Sequence, residues 1–354
     1  LVLCDVLDHH SHAEVPFSPR AVLKRQVARL EARGLTAMVA TELEFFLFRE
    51  GFEALRDAKY RCLTSISPYN EDYHIFQTTK EEEVMRAIRN GLQGAGIPVE
   101  NSKGEADAGQ EEINIRYADA LTMADRHSIL KNAVKEMAWS KGRAVTFMAK
   151  WDTARAGSSS HIHQSLRGAD GAAVFADSGG EHGMSTMMRH YLAGLLAHAD
   201  ETTYFLAPYV NSYKRFAADT FAPTKAIWSV DNRTAGYRVV ASESASVRVE
   251  CRIGGADLNP YLAIAAQIAA GLAGIEQKLA LEPELAGDAY RATDARAIPG
   301  NLRDAAVALD GSAMLRAAFG DDVVEHYVHA ARWEQAEFDR AVTDYEVARG
   351  FERA

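Results

Sequence analysis

The stretch Thr41-Glu42-Leu43-Glu44-Phe45-Phe46-Leu47-Phe48 decides how the rest of this chain is read. In a β-strand, side chains at i and i+2 point to the same face. Glu42 and Glu44 therefore share one face, and Leu43, Phe45 and Leu47 share the other. Such a strand buries one side and offers two carboxylates on the opposite side. Two more stretches repeat the pattern: His161-Ile162-His163 and Val247-Arg248-Val249-Glu250-Cys251-Arg252-Ile253. Together the three read as strands lining a polar funnel that binds metal ions and phosphate.

Working outward, Ser18-Pro19 opens a helix that Gly34 ends. A strand over 36–48 follows. Thr79-Lys80-Glu81-Glu82 has capping-box spacing and opens a helix running to about Gly94. Residues 112–116 alternate as a short strand, and 122–141 have helical period. A strand over 144–150 leads through the turn Gly157-Ser158-Ser159-Ser160 into the His161 strand. Residues 168–183 read as a hairpin and loop, and 184–206 as a helix. Residues 211–235 form a long polar loop, of a kind that often carries function. Strands over 236–241 and 246–253 come next. Asn259-Pro260 then caps an apolar helix to about Leu279, and 321–346 is amphipathic. Leu1-Val2-Leu3-Cys4-Asp5-Val6 reads as a core strand, so an N-terminal part is expected to be missing. Short strands and helices at uneven spacing, without regular βαβ alternation, predict an α+β fold with a largely antiparallel sheet.

The 354 residues suffice for one large domain or two smaller ones. A net charge of −10 argues against a general nucleic-acid binder, because phosphate backbones want basic surfaces. Cys4, Cys62 and Cys251 are sparse, odd in number and outside any CxxC pattern. That fits a reducing cytoplasm without a disulfide framework. The apolar run from Leu258 to Ile275 is interrupted by Asn259, Pro260 and Gln267, which reads as a buried helix and not a membrane span.

The carboxylates come from several segments: Glu42 and Glu44, Glu105 and Glu112 around a loop entering a strand, and Glu250. Hard divalent cations such as Mg²⁺ and Mn²⁺ prefer carboxylate oxygens, and Mn²⁺ tolerates an imidazole. Five carboxylates with His161 can hold two such ions. The plain alternative is solvent-facing strands laced with salt bridges. Arg215, Arg233, Arg238, Arg248 and Arg252 crowd into one stretch of this acidic chain. Guanidinium groups bind phosphate and carboxylate through paired hydrogen bonds, which suggests an anionic substrate beside the metal ions. Surface ion pairing is again the plain alternative. Asp5, Asp8, His9, His10 and His12 read as a solvated loop. The Gly157 turn leads into a strand and is no Walker loop. No Gly-x-Ser-x-Gly motif appears.

In this order, the segments resemble the catalytic domain of the glutamine synthetase family across nearly the whole chain, from Asp5 to about Tyr345, so 1–354 is expected to be one such domain. The matching motifs are Glu42-Leu43-Glu44-Phe45-Phe46-Leu47, Glu105 with Gly109-Gln110-Glu111-Glu112, and Gly157 with His161-Ile162-His163-Gln164-Ser165-Leu166. Asn211-Ser212-Tyr213-Lys214-Arg215, Asn232-Arg233 with Arg238, and Arg248-Val249-Glu250-Cys251-Arg252 with Asn259-Pro260-Tyr261-Leu262 complete the series. The resemblance implies that family's catalytic-domain fold, a curved antiparallel sheet with flanking helices. It implies one metal at Glu44, Glu105 and Glu112, and another at Glu42, His161 and Glu250. Arg215 and Arg252, with the Gly157 backbone nearby, would bind glutamate. Arg233, Arg238 and Arg248 would stabilise the transferred phosphoryl group, and His163 and Ser165 would sit near ATP. The implied reaction is phosphorylation of the glutamate γ-carboxylate by ATP, then displacement of phosphate by an amine nitrogen.

Two departures bear on the acceptor. Ammonia-using members carry a Glu in the flap after the Tyr-Lys-Arg motif. Here Asp219-Thr220-Phe221-Ala222-Pro223-Thr224 places Phe221 at that position, and Ala156 replaces the Asn that precedes the glycine in many ammonia users. Both changes recur in the γ-glutamyl-polyamine, ethanolamide and monoamine synthetases, so the expected acceptor is an organic amine. A glutamine synthetase using ammonia is the alternative. A non-catalytic structural or regulatory homologue is a third reading, although all six ligand positions and five arginines are present. The family's small N-terminal β domain has no counterpart here. Its stacked rings, commonly dodecamers, make a homo-oligomer the expectation.

Overall fold

The computed structural model describes residues 1–353. Its strands are β1 (Leu35–Phe48), β2 (Val99–Gly104), β3 (Gln110–Ile115), β4 (Ala118–Asp119), β5 (Ala144–Thr146), β6 (Ser160–Gly168), β7 (Trp228–Val230), β8 (Tyr237–Val240) and β9 (Arg248–Cys251). They form a single sheet in the order β2-β3-β1-β6-β9-β8-β7, with β4 and β5 also pairing with β1. Every pairing is antiparallel except β7 with β8. Helices flank this sheet, so the fold is α+β and largely antiparallel, as the sequence predicts.

The long β1 organises the sheet, because its alternation satisfies two environments at once. Leu43, Phe45 and Leu47 enter the main core, each at most 1% exposed. Glu42 and Glu44 point the other way. Strand β6 repeats the division: Ile162 and Leu166 are buried in the core beside Gln164, while His161, His163 and Ser165 alternate with them. On the core side the Tyr191 hydroxyl donates to Gln164 Oε1 at 2.7 Å. Gln164 Nε2 in turn donates to Gln267 Oε1 at 3.2 Å, so the buried amide is partnered.

Gln267 lies on the Pro260–Gln277 helix, which is buried from Pro260 through Gly274. Asn259 caps its first turn by accepting from the Tyr261 and Leu262 amides. This helix crosses the Thr186–Ala197 helix at backbone contact. A Cβ on Gly274 would stand 2.1 Å from His190 O, and one on Gly194 would stand 2.2 Å from Ala270 O. Glycine is required at both positions by the closeness of the crossing.

Several elements differ from the sequence expectation. The helix expected from Thr79 begins a turn earlier and spans Ile75–Gly94. Thr78 and Thr79 lie inside it and donate their hydroxyls back to Ile75 O. The helix expected over 184–206 divides into Thr186–Ala197 and Ala199–Leu206, because His198 leaves helical geometry. The expected tail helix also divides, into Asp321–Arg340 and Asp344–Gly350. Leu1–Val6 is no core strand: the segment is exposed, with Leu1 at 86%, and it joins no strand of the sheet, although Val6 O accepts from the Val15 N–H at 2.9 Å. No helix among the described residues is long and apolar enough to cross a membrane.

Candidate active site

Strand register assembles the site. Across β1 and β3, Glu44 sits opposite Glu112. Across β1 and β6, Glu42 sits opposite His161. Further along the sheet, His163 faces Glu250, and Glu250 faces Arg238. One face of five adjacent strands thus carries a continuous row of carboxylates, imidazoles and guanidinium groups. A shift of one residue in any of these strands would turn its contribution into the core.

The row divides into two candidate metal sites. One oxygen from each of Glu44, Glu105 and Glu112 lies within 4.8 Å of the others. Burial pushes Glu44 up to about 7, with repulsion from Glu105 adding to it. Burial, then the nearby Glu44 and Glu42, push Glu112 up to about 9. Carboxylates this desolvated and this close fit a divalent cation, whose charge would offset both the burial cost and the mutual repulsion. Glu44 Oε2 is held in place by the Ser159 N–H at 2.7 Å and by Gln110 Nε2 at 3.2 Å.

The second group joins Glu42, His163 and Glu250, again within 4.8 Å. His161 shares it, since its Nδ1 lies 3.0 Å from Glu42 Oε2 and 3.3 Å from Glu250 Oε1. Burial opposes ionisation of Glu42, but hydrogen bonds from His161 and His163 outweigh it and hold the carboxyl well below the usual range. Burial, with the Arg252 charge adding to it, lowers His161 to about 4. A neutral imidazole is the form that ligates a metal. Arg248 Nε donates to His163 Nδ1 at 3.2 Å, which leaves Nε2 as the nitrogen directed at Glu42.

The arginines surround these carboxylates. Arg238 and Arg252 grip opposite oxygens of Glu250 at 3.1 and 2.5 Å. Arg215, 4% exposed, donates to the carbonyls of Ile253 and Arg252. Its stem packs on Gly157, where a Cβ would stand 2.6 Å from Arg215 Cγ and 2.9 Å from Ala149 O. Arg233 and Phe221 border the same cavity of about 250 Å³, which also holds the first metal group. A neighbouring cavity of about 410 Å³ contains His163, Ser165 and Arg248, and the two cavities share Glu42.

All the residues singled out in the sequence therefore border one of two adjoining cavities or pack directly behind them. Sequence reasoning missed some that the structure adds. Gln110 bridges Glu44 and the Gly157 carbonyl, the latter at 2.9 Å. Its signal was present, since Gln110 and Glu112 alternate on one face of β3. Lys103 pairs with Glu105 and Glu112 from β2, a strand that the sequence reading did not recognise. Tyr73 and Asp72 also line the smaller cavity, from a segment without a readable period.

The chain is similar to proteins of one family. The profile described as glutamine synthetase, catalytic domain, matches residues 16–350. A γ-glutamylethanolamide synthetase of Streptomyces coelicolor is 48% identical over 336 residues, which cover 95% of this chain and 71% of the relative. A glutamate–isopropylamine ligase of a Pseudomonas species is 36% identical, covering 98% of this chain and 76% of that one. A glutamine synthetase of Thermus thermophilus is also 36% identical, covering 98% and 78%. Among solved structures, GmaS without ligand superposes with a TM-score of 0.86 at 30% identity, covering 97% of this chain and 79% of its own. A GmaS complex with ADP gives 0.87, covering 98% and 80%. Fold and site define a carbon–nitrogen ligase. The chain belongs to the glutamine synthetase family.

Proposed function

We propose that this protein is an ATP-dependent ligase that joins the γ-carboxylate of glutamate to an organic amine. The observation that carries the choice of acceptor is Phe221. It lines the smaller cavity, 57% exposed, and alignment on Ala222-Pro223 matches it to the flap glutamate that the resemblance gives ammonia-using members. A phenyl ring accepts no proton from ammonium, but it packs against an alkyl chain. Ala156, lining the same cavity, adds room where many ammonia users have Asn. The relatedness to a γ-glutamylethanolamide synthetase and to a glutamate–isopropylamine ligase supports the same reading.

In this reading Glu44, Glu105 and Glu112 hold one Mg²⁺ or Mn²⁺ ion, and Glu42, His161 and Glu250 hold a second. Bound there, the cations neutralise charge on phosphoryl and carboxylate oxygens. Arg215 and Arg252, with the Gly157 backbone, position glutamate. Arg233 and Arg238 stabilise charge on the phosphoryl group in flight, and His163, Ser165 and Arg248 hold the nucleotide. The γ-carboxylate oxygen attacks the γ-phosphorus of ATP and ADP departs. The neutral amine nitrogen then attacks the γ-carbonyl carbon, the C–O bond to phosphate breaks as the amide forms, and the proton lost from nitrogen leaves on the departing phosphate. Phe221 screens the acyl phosphate from water until the amine arrives. We place the protein in the cytoplasm as a homo-oligomer, in keeping with its three unpaired cysteines and its family.

Phosphate release from ATP tests the reading. It should require glutamate, a divalent cation and an amine such as putrescine, spermidine or ethanolamine. Release stimulated by ammonium alone would instead mark a glutamine synthetase.

A further inference from the structure

Behind the active-site face lies a third group of carboxylates that the ligase reading does not use. Along β3, Glu111 shares its face with Ile113 and Ile115, which are at most 2% exposed. A carboxylate therefore occupies a row of the apolar core. Glu81 meets it from the buried side of the Ile75–Gly94 helix, and Glu71 from the preceding loop. One oxygen from each lies within 4.8 Å of the others. Glu71 and Glu111 are 0% exposed, and Glu81 is 4%.

The oxygens of this group lack partners. Both oxygens of Glu111, Oε2 of Glu71 and Oε2 of Glu81 are buried without a hydrogen-bond partner. Glu71 Oε1 accepts from the Gly109 N–H at 2.6 Å. Strand β2 comes so close that a Cβ on Gly104 would stand 2.5 Å from Glu71 Cβ. Leaving ionised carboxylates buried and unpaired is costly, so the group must either share protons or surround a cation. Its donors are all hard oxygens, and they converge from a loop, a helix and a strand. Oxygens ligating one calcium-sized ion at 2.3–2.6 Å lie no more than about 5 Å apart, and this group meets that limit.

We infer that Glu71, Glu81 and Glu111 form a structural site for a hard divalent cation, separate from the two groups on the active-site face. The ion would tie the Ile75–Gly94 helix to β3. Through Glu71 and Gly109 it would also brace the loop that carries Glu105. This inference is independent of which acceptor the ligase uses.

The test is Mn²⁺ binding by the intact, chelator-stripped protein, with free Mn²⁺ read by electron paramagnetic resonance. Glu81→Gln should bind one fewer Mn²⁺ per chain than the wild type. Glu81→Gln combined with Glu44→Gln should bind fewer than Glu44→Gln alone. Equal stoichiometry in wild type and Glu81→Gln would overturn the inference and leave proton sharing as the explanation. Anomalous diffraction from Mn²⁺-soaked wild-type crystals needs no variant. A peak between the three carboxylates is expected, and its absence there would refute the site even if Glu81→Gln failed to fold.

Discussion

Glu44 and Glu112 face one another as register partners on β1 and β3, both buried and both pushed well above the usual carboxylate range. Placing two carboxylates there opposes folding unless something offsets their charge. A cation can bind where they meet, and this tension between stability and function gives the first prediction.

With chelator present, stability should fall as pH rises. Both groups have ordinary values near 4.5, raised to about 7 for Glu44 and about 9 for Glu112. A raised carboxyl contributes its stability below the unfolded value and loses it as pH climbs through the folded one. The melting temperature of stripped protein should therefore decline between about pH 4.5 and 9. Adding Mg²⁺ or Mn²⁺ should raise it most at the alkaline end. A melting temperature insensitive to divalent ions across this range would count against the metal assignment. Glu44→Gln should flatten the decline and weaken metal binding, since it removes a charged ligand oxygen.

Gly157→Ala should damage catalysis more than folding. The added Cβ meets the stem of Arg215 at 2.6 Å, and Ala149 O at 2.9 Å blocks its retreat. Arg215 must shift, and a misplacement of about 1 Å can cost about 100-fold in rate. Steady-state kinetics should show the loss in kcat/KM for glutamate, with KM for ATP little changed. An unaltered glutamate KM would mean that Arg215 does not position glutamate.

Phe221→Glu should bring ammonium into use. The position is exposed and lies in left-handed backbone with φ of 55°, as does Asp219 at 62°. A glutamate there is free to reach into the cavity without disturbing the core. Amine-dependent phosphate release should drop and ammonium-dependent release should rise. A variant that loses amine use and gains nothing would place acceptor choice elsewhere in the cavity.

Gly274→Ala tests the helix crossing behind the sheet. The new methyl would meet His190 O at 2.1 Å and Gly194 N at 2.6 Å, both of them backbone. Overpacking of this kind costs about 1–3 kcal/mol, and immovable backbone puts this case at the upper end. Thermal unfolding at fixed metal concentration would measure it.

How much of this was legible beforehand depended on period. The rows of β1, β6 and β9 could be read because polar and apolar residues alternate there, and alternation says which side chains share a face. Register was invisible, so the pairing of His163 with Glu250 and of Glu44 with Glu112 emerged only in three dimensions. Strand β2 was missed because Val99-Glu100-Asn101-Ser102-Lys103-Gly104 is mostly polar and largely exposed, with no buried row to betray it. The Thr79 capping pattern misled because a helix start is fixed by where the chain turns. Here that turn is at His74, a turn before the motif. The carboxylate of Glu111 stood in plain view beside Glu112, yet only the fold shows that it meets Glu71 and Glu81.

We propose that this site activates glutamate for an organic amine. Mass spectrometry of products, with glutamate, ATP and Mg²⁺ in a mixture of ammonium and a panel of alkylamines, tests it most directly. A γ-glutamyl alkylamide is expected as the dominant product, formed with one phosphate released per amide. Glutamine as the dominant product would contradict it.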